Sequence, residues 1–229
     1  MTLKELIKLY EKKKKIFGPE TYKYISELLK EAKEIHKRDW LKSPTPRKDH
    51  EQSWRAFKGK NLEKLIMYII KDEIENLGLK VVEGNILERT ASANLSKELS
   101  QIKRNLLIDY GKFGAYLPDV DLIIYHPKTL KIIAVISSKV TLRERIAQTG
   151  YWKIKLSQDP VTKDIKVFFI TLDEDRTLTY KKPMKKGRAI VEVDTDGSYV
   201  MTETQVEESE KVKMFDKFIK DLKNLIKNE

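Results

Sequence analysis

Length, composition and charge narrow the classes of protein to which this chain can belong. Its 229 residues are enough for one domain with a helical annex, and 40% hydrophobic residues can bury a sizeable core. The formal net charge of +11 favours a polyanionic partner, with nucleic acid as the first candidate. Cysteine is absent, which excludes disulfides and thiolate sites and fits a reducing, cytoplasmic compartment. No apolar run reaches the length of a transmembrane helix, so we expect no membrane partner.

The first part of the chain predicts two amphipathic helices followed by a loop. Residues 2–16 begin with a capping-box pattern and carry their apolar residues on one face. A second helix is expected over residues 19–37. Residues 40–53 contain two prolines and mixed charge and are expected to form a loop. We therefore expect residues 1–52 to form a helical annex with a basic loop, and residues 53–229 to form a larger core with a C-terminal helix.

The next segment predicts a helix that buries one face against a sheet. Apolar residues recur at helical spacing from Leu62 to Ile70. Glu63 falls in the first turn of this predicted helix, where the helix dipole favours a carboxylate for structural reasons alone. The alternative is that Glu63 contributes to a catalytic site. In that case Lys58 and Lys60, just before the helix, lie where a DNA phosphate would approach.

Two apolar runs joined by a short turn predict a β-hairpin. The first run follows Pro118, and the second ends at Lys139. Pairing the strands about the turn brings Asp119 opposite Ser137, and Lys139 projects from the same face as Ser137. Strand alternation places Asp121 on the face of Asp119. One end of the hairpin is therefore expected to carry two carboxylates and a lysine.

This group of charges has a structural and a chemical explanation. Charged residues at strand ends are most often simply solvated. The chemical alternative is metal-assisted phosphodiester hydrolysis, with Asp119, Asp121 and Glu63 as ligands of Mg²⁺, a hard cation that prefers oxygen. Lys139 would then orient the attacking water or offset developing charge. Strand pairing favours Asp119 as the main ligand, whereas a bulge or a register shift of two residues would favour Asp121.

A charged triplet follows the hairpin. Arg143, Glu144 and Arg145 stand in the first turn of the next predicted helix, where the dipole disfavours cations. Arginine can donate two hydrogen bonds to guanine, and glutamate can accept one from cytosine. The triplet is therefore a candidate for reading adjacent G·C pairs in the major groove, and an exposed, purely structural helix turn is the alternative. Ser138 and Thr141, just before it, are expected to contact the DNA backbone.

The rest of the chain alternates predicted helices and strands. One helix is expected over residues 95–109 and another over residues 142–156. Residues 165–172 are strongly apolar and predict a central strand covered on both faces. Residues 189–194 predict a further strand, and a long helix is expected from about Val206 to the C-terminus.

The order of these elements resembles the PD-(D/E)xK nuclease core. That order is a helix with Glu63, a strand, the acidic hairpin, a helix and a strand. The run from Ser137 through Lys139 to Arg145 is more specific, and it resembles type II restriction endonucleases that read CCGG, CCNGG, CCWGG and related sites. In that group the second motif is Ser/Cys-x-Lys rather than Glu-x-Lys, followed after three residues by Arg-Glu-Arg or a similar triplet. The resemblance covers roughly residues 53–172.

The resemblance implies an α/β fold of the restriction-endonuclease type, with a central mixed β-sheet flanked by helices and an N-terminal helical annex. It implies a Mg²⁺-dependent, sequence-specific endonuclease of double-stranded DNA, acting as a homodimer on a short G·C-containing palindrome. One departure from the family pattern concerns the window about a dozen residues after Lys139, where such enzymes often supply an acid and this chain has none. The second carboxylate must then come from Asp121 or Glu63.

Two other functions are compatible with parts of the sequence. A junction resolvase or repair nuclease would use the same core, but readers of DNA structure need phosphate contacts more than base-edge donors. A basic nucleic-acid-binding protein without activity would leave the acids incidental, yet no zinc-ligand or RNP-like pattern supports it. Histidine catalysis is not expected, because His36, His50 and His126 stand in no partner pattern.

Overall fold

A six-stranded mixed β-sheet lies at the centre of the fold, in a computed structural model that describes residues 1–44, 49–142 and 145–227. The strands in chain order are β1 (Lys80–Glu83), β2 (Ile108–Asp109), β3 (Ala115–Tyr116), β4 (Leu122–Tyr125), β5 (Ile132–Lys139), β6 (Lys166–Thr171), β7 (Gly197–Val200) and β8 (Val212–Met214). The sheet order is β1-β4-β5-β6-β7-β8, while β2 and β3 form a separate small hairpin. Strands β1, β4 and β5 pair antiparallel, and β5 to β8 pair parallel.

Helices cover both faces of this sheet. They are α1 (Leu3–Phe17), α2 (Ile25–Lys42), α3 (His50–Asn76), α4 (Gly84–Arg89), α5 (Lys97–Asn105), α6 (Arg145–Ser157), α7 (Lys186–Asp194) and α8 (Phe218–Lys227). Helices α1, α2, α3 and α8 share one hydrophobic cluster with the sheet, and α4 to α7 contribute to the clusters on its other side. The predicted mixed sheet flanked by helices is therefore confirmed. Among the described residues, no helix has both the length and the apolar character needed to cross a bilayer.

The N-terminal helices pack directly on α3. The predicted capping box at the start of α1 is present, since Thr2 and Glu5 exchange hydrogen bonds between side chain and backbone. The second predicted helix is a 3₁₀ segment over Gly18–Tyr24 followed by α2, which extends beyond the predicted end. The proposed annex shares its core with the sheet, and the division at residue 52 stays a prediction.

Helix α3 is one continuous helix of 27 residues, longer than predicted. It begins at His50, because the side chain of Asp49 caps it. Glu63 therefore lies in the middle of the helix rather than in its first turn, and the prediction that Lys58 and Lys60 precede the helix is also wrong. The helix dipole does not account for a carboxylate in mid-helix, so the structural explanation for Glu63 is lost.

Two predictions for the C-terminal part are wrong. Residues 189–194, predicted as a strand, belong to α7. So short an apolar run fits the periodicity of a helix as well as that of a strand, and here Arg188 and Val191 are buried on one face of a helix. The helix predicted from Val206 begins only at Phe218. The residues before it include β8, which completes the parallel edge of the sheet.

Candidate active site

The β4–β5 hairpin brings an acid and a lysine together at one end of the sheet. Leu122 pairs with Ile136, and the backbone N–H of Asp121 donates to the carbonyl of Ile136 at 2.9 Å. Asp121 therefore stands next to the end of β5. The predicted alignment of Asp119 with Ser137 is wrong by two residues. The pair next to the turn, Tyr125 with Ile132, is already one residue away from that alignment, and an irregularity between Ile124 and Tyr125 adds the second.

Asp121 is held in a fixed orientation. Its side chain is buried, and Oδ2 accepts hydrogen bonds from the backbone N–H of Ser138 at 2.5 Å and from Nζ of Lys139 at 2.8 Å. Lys139 Nζ also lies 3.1 Å from Oδ1. Charge-assisted bonds of this kind are short and directional. The acid and the lysine of the predicted motif therefore form one preorganised pair.

Glu63, from the middle of α3, adds a second carboxyl to this pair. Burial raises the pKa of Glu63 to about 7, and the negative charge of Asp121 and a hydrogen bond with it act in the same direction, while Lys139 opposes them. Two carboxylates held this close cannot both ionise without cost. A bound cation would relieve this repulsion between the carboxylates of Glu63 and Asp121.

A cleft of about 590 Å³ opens beside this cluster. Its walls combine cationic, polar and acidic side chains: Arg55, Lys58, Gly59, Leu62, Glu63, Ser138, Lys139, Val140, Thr141 and Glu174. Of the residues predicted to contact DNA backbone, Lys58, Ser138 and Thr141 line this cleft together with Glu63 and Lys139. Lys60 is exposed on α3, outside that lining.

The two serines before Lys139 have different surroundings. Ser137 Oγ accepts a hydrogen bond from Thr149 of α6 at 3.2 Å, which ties the strand to the helix. Ser138 Oγ is buried and has no hydrogen-bond partner within the described part of the chain. A buried hydroxyl is costly to leave unpaired.

Several predicted residues are not gathered at this cluster. Asp119 is exposed, and its Oδ2 accepts a hydrogen bond from Nε2 of Gln148 on α6 at 2.9 Å. Arg143 and Glu144 lie outside the described residues. Arg145 begins α6, but its side chain is not described. Base reading by this triplet therefore stays a prediction.

Two acids near the cleft were missed by the sequence analysis. Glu83 ends β1, lies 3.6 Å from Lys64 and adds to the negative charge felt by Glu63. Glu174 follows β6 and lies 3.7 Å from Lys58. Their only sequence signal was an acid after an apolar run, and the sheet order was needed to place β1 and β6 beside the hairpin.

Sequence comparison finds relatives along most of the chain. A family model described as BsaWI restriction endonuclease type 2 matches residues 98–221. The "Putative type II restriction enzyme MjaVIP" of Methanocaldococcus jannaschii is 38% identical over 212 residues, which cover 87% of this chain and 92% of that protein. The "Probable type II restriction enzyme HpyAORF263P" of Helicobacter pylori is 34% identical over 175 residues, which cover 73% of this chain and 89% of that protein.

The fold is shared with solved nucleases. The restriction endonuclease PspGI, in complex with substrate DNA, superposes with a TM-score of 0.58 at 15% identity, covering 100% of this chain and 94% of PspGI. The specific complex of the restriction endonuclease AgeI with DNA gives a TM-score of 0.55 at 16% identity, covering 95% of this chain and 91% of AgeI. By sequence and by fold, this chain belongs to the type II restriction endonucleases, the site-specific deoxyribonucleases that hydrolyse double-stranded DNA.

Proposed function

We propose that this chain cleaves DNA with Mg²⁺ at the site formed by Glu63, Asp121 and Lys139, and that it reads a short G·C-containing palindrome as a homodimer. The observation that carries the proposal is the buried pairing of Asp121 with Lys139, beside a second acid, at a cleft with cationic walls. Family membership favours this function over a structure-specific nuclease and over a binding protein without activity.

The two carboxyls suit Mg²⁺. This ion takes oxygen ligands in octahedral geometry and is often bound by one or two carboxylates together with waters and substrate phosphate. The described residues contain no cluster of three metal-binding side chains, so Asp121 and Glu63 would share the ion with the substrate and water. When bound, Mg²⁺ supplies charge stabilisation to the phosphoryl and leaving oxygens.

The protein's own groups position the reacting phosphate. Lys139 Nζ, oriented by Asp121, would hold the attacking water or offset the charge that develops on the phosphate. The backbone N–H of Ser138 keeps Asp121 in place. Along the cleft, Lys58, Thr141 and the unpaired hydroxyl of Ser138 would hold the scissile phosphate. We assign Lys60, on the exposed side of α3, to a phosphate farther along the strand.

The strand register favours Asp121 over Asp119 as the principal metal ligand. Asp121 is buried between Ser138 and Lys139, whereas Asp119 is exposed and bonded to Gln148. We therefore assign Asp119 to the positioning of α6 at the edge of the metal site.

Base reading is proposed for Arg143, Glu144 and Arg145. The support is their place in the chain, since α6 begins at Arg145, shortly after Lys139. Recognition and cleavage would then be coupled through one short segment. Arg143→Ala or Arg145→Ala should lower discrimination between cognate and mismatched duplexes by about 1–3 kcal/mol. An equal loss of affinity on all sequences would instead assign the arginines to phosphate.

Digestion of phage DNA with Mg²⁺, followed by sequencing of the fragment ends, tests the function and identifies the site. Discrete fragments with a shared terminal sequence are expected. Lys139→Ala should abolish cleavage while specific binding persists, because the lysine acts on the reacting group. Lys71→Ala, an exposed lysine on α3, is the matched control and should cut like the parent. Cleavage by Lys139→Ala at the same positions would show that the assigned centre is wrong.

A further inference from the structure

The β2–β3 hairpin presents aromatic side chains to solvent just before the active-site strand. Residues 111–116 are all exposed, and Phe113 and Tyr116 as residues are 70% and 57% exposed. Gly111 and Gly114 adopt φ of 61° and 92°, a conformation that glycine adopts without strain, so they shape the tight turn. Large exposed rings grouped on one projection are typical of a contact surface.

Helix α6 extends this surface. Its outer face exposes Tyr151 and Ile154. The hydroxyl of Tyr110, at the base of the hairpin, lies 3.1 Å from that of Tyr151, and Lys155 Nζ lies 5.4 Å and 5.9 Å from the centres of the two rings. Hairpin and helix therefore form one continuous surface, here named the aromatic patch and defined as Lys112, Phe113, Tyr116, Tyr151, Ile154 and Lys155.

The charges of the aromatic patch suit a polyanion. Lys112 Nζ lies 5.1 Å from the ring centre of Phe113, and Lys155 lies over the tyrosines. The two neighbouring carboxylates, Asp109 and Asp119, are oriented by the backbone N–H of Gly111 and by Gln148, and they keep their negative charge. The positive potential at the patch therefore comes from its two lysines together with the net charge of +11 on the whole chain. A second copy of the chain packed here through a two-fold axis would add two more lysines to the same contact. Backbone phosphates would instead meet positive charge.

The aromatic patch lies close in the chain to the residues proposed to cut and to read DNA. Tyr116 precedes Asp121 by five residues, and Tyr151 follows Arg145 by six on the same helix. With a rise of about 1.5 Å per helical residue, Tyr151 and Lys155 lie about 9 Å and about 15 Å beyond Arg145. That span corresponds to roughly three to four steps along a DNA strand, at about 3.4 Å each.

We propose that the aromatic patch binds the flank of the same DNA duplex, outside the base pairs that are recognised. Phe113 and Tyr116 would pack on the sugars of the flanking duplex, and Lys112 and Lys155 would contact its phosphates. Contacts of this kind position the duplex and carry little sequence information. The patch thus adds affinity for long DNA without lengthening the recognised sequence. The proposal rests on DNA as the substrate and is independent of the metal assignment.

Binding to duplexes of different flank length tests the proposal. Fluorescence anisotropy is measured without Mg²⁺, on the cognate site with flanks of about two or about ten base pairs. Phe113→Ala combined with Tyr116→Ala should weaken binding about tenfold on the long duplex only, because the apolar contacts of the two rings are lost and the short duplex never makes them. Lys112→Ala should reduce the salt dependence of log K on the long duplex by about one.

Ile16→Ala is the matched control, because Ile16 on α1 is 74% exposed and lies outside the aromatic patch. It should bind both duplexes like the parent. Equal weakening on short and long duplexes, or none on either, would overturn the proposal. A fall from dimer to monomer in sedimentation, without any effect of flank length, would assign the patch to subunit contact instead. The substitution Lys139→Ala should not change any of these binding results. A failure of the cleavage assignment can therefore be distinguished from a failure of the flank-binding proposal.

Discussion

Asp121 owes its place to neighbours that are distant in sequence. Its carbonyl accepts the backbone N–H of Gly84, its N–H donates to Ile136, and its carboxylate is bound by Ser138 and Lys139. A Cβ on Gly84 would lie 1.9 Å from the carbonyl oxygen of Val120, so only glycine allows this approach. The acid is therefore positioned by backbone pairing on both sides of β4.

The contrast between the two hairpin acids gives a direct prediction. Asp121→Asn should lower the rate constant of the cleavage step by at least about 100-fold, because loss of the proposed metal ligand exceeds the effect of an outer contact. Asp119→Asn should stay within about tenfold of the parent, because its carboxylate bonds only to Gln148 among the described residues. Single-turnover cleavage measures both. A larger loss for Asp119→Asn would restore Asp119 as the principal ligand.

The raised pKa of Glu63 predicts a pH-dependent stability. Its value of about 7 in the folded protein lies above the ordinary 4.5, so its contribution is complete below pH 4.5 and is lost as pH rises through 7. Without metal, Glu63→Gln should therefore be more stable than the parent at pH 8, by about 1–2 kcal/mol after allowing for solvent screening.

Urea unfolding in EDTA at pH 5 and pH 8 measures this difference. Glu75→Gln, which changes an exposed acid on the same helix, should follow the parent at both pH values. Parallel losses of stability in the parent and in Glu63→Gln would show that Glu63 is not the source of the effect. Mg²⁺ should stabilise the parent more than it stabilises Glu63→Gln if the ion binds the folded state through that carboxylate, as proposed.

At the scale of elements, α7 is organised around a buried arginine. Arg188 is fully buried and donates to the carbonyls of Leu178 and Glu207 and to the carboxylate of Glu192. These bonds tie α7 to the segment after β6 and to the one before β8. Ser209, which also donates to Glu192, extends the network toward β8.

Loss of this arginine should destabilise the fold. Arg188→Met keeps much of the volume but removes the donor of the Leu178 and Glu207 carbonyls and the positive charge that faces the carboxylate of Glu192, so the free energy of unfolding should fall by about 3 kcal/mol. Denaturant unfolding measures the change. Lys186→Met, at an exposed position of the same helix, should stay within about 0.5 kcal/mol of the parent. Equal stability of the two variants would contradict the proposed role of the network.

At the scale of the whole molecule, charge and symmetry determine how the enzyme meets DNA. The net charge of +11 favours association with a polyanion and makes it salt-dependent. At the cleft, Glu174 offsets part of this positive charge, because its Oε2 lies 3.7 Å from Nζ of Lys58. A phosphate entering the cleft would replace the carboxylate of Glu174 as the partner of the Lys58 ammonium group.

A homodimer on a palindrome predicts a fixed stoichiometry. In sedimentation experiments, the complex of the Lys139→Ala variant with the cognate duplex should contain two copies of the chain per duplex. The reason is that two-fold symmetry in the protein matches that of the site. A duplex with one half-site replaced should bind more weakly. A single copy on the intact palindrome would contradict the dimer.

Local patterns in the sequence were sufficient for the type of each element around the site. The β4–β5 hairpin, the helix with Glu63 and the run from Ser137 to Lys139 all depend on residues close in the chain. The family was therefore recognisable, and the mixed sheet flanked by helices could be expected. The same local signals failed at residues 189–194, where a short apolar run fits a helix as well as a strand.

The amino-acid sequence by itself determined the chemistry of the site: two kinds of acid, a lysine and a basic surface for DNA. Only the tertiary structure decided that Asp121, not Asp119, pairs with Lys139, that Glu63 reaches them from mid-helix, and that Glu83 and Glu174 stand nearby. The physical reason is that strand register and sheet order arise from hydrogen bonds between distant segments. A shift of two residues leaves the local pattern of a strand unchanged while it exchanges the acid at the candidate active site.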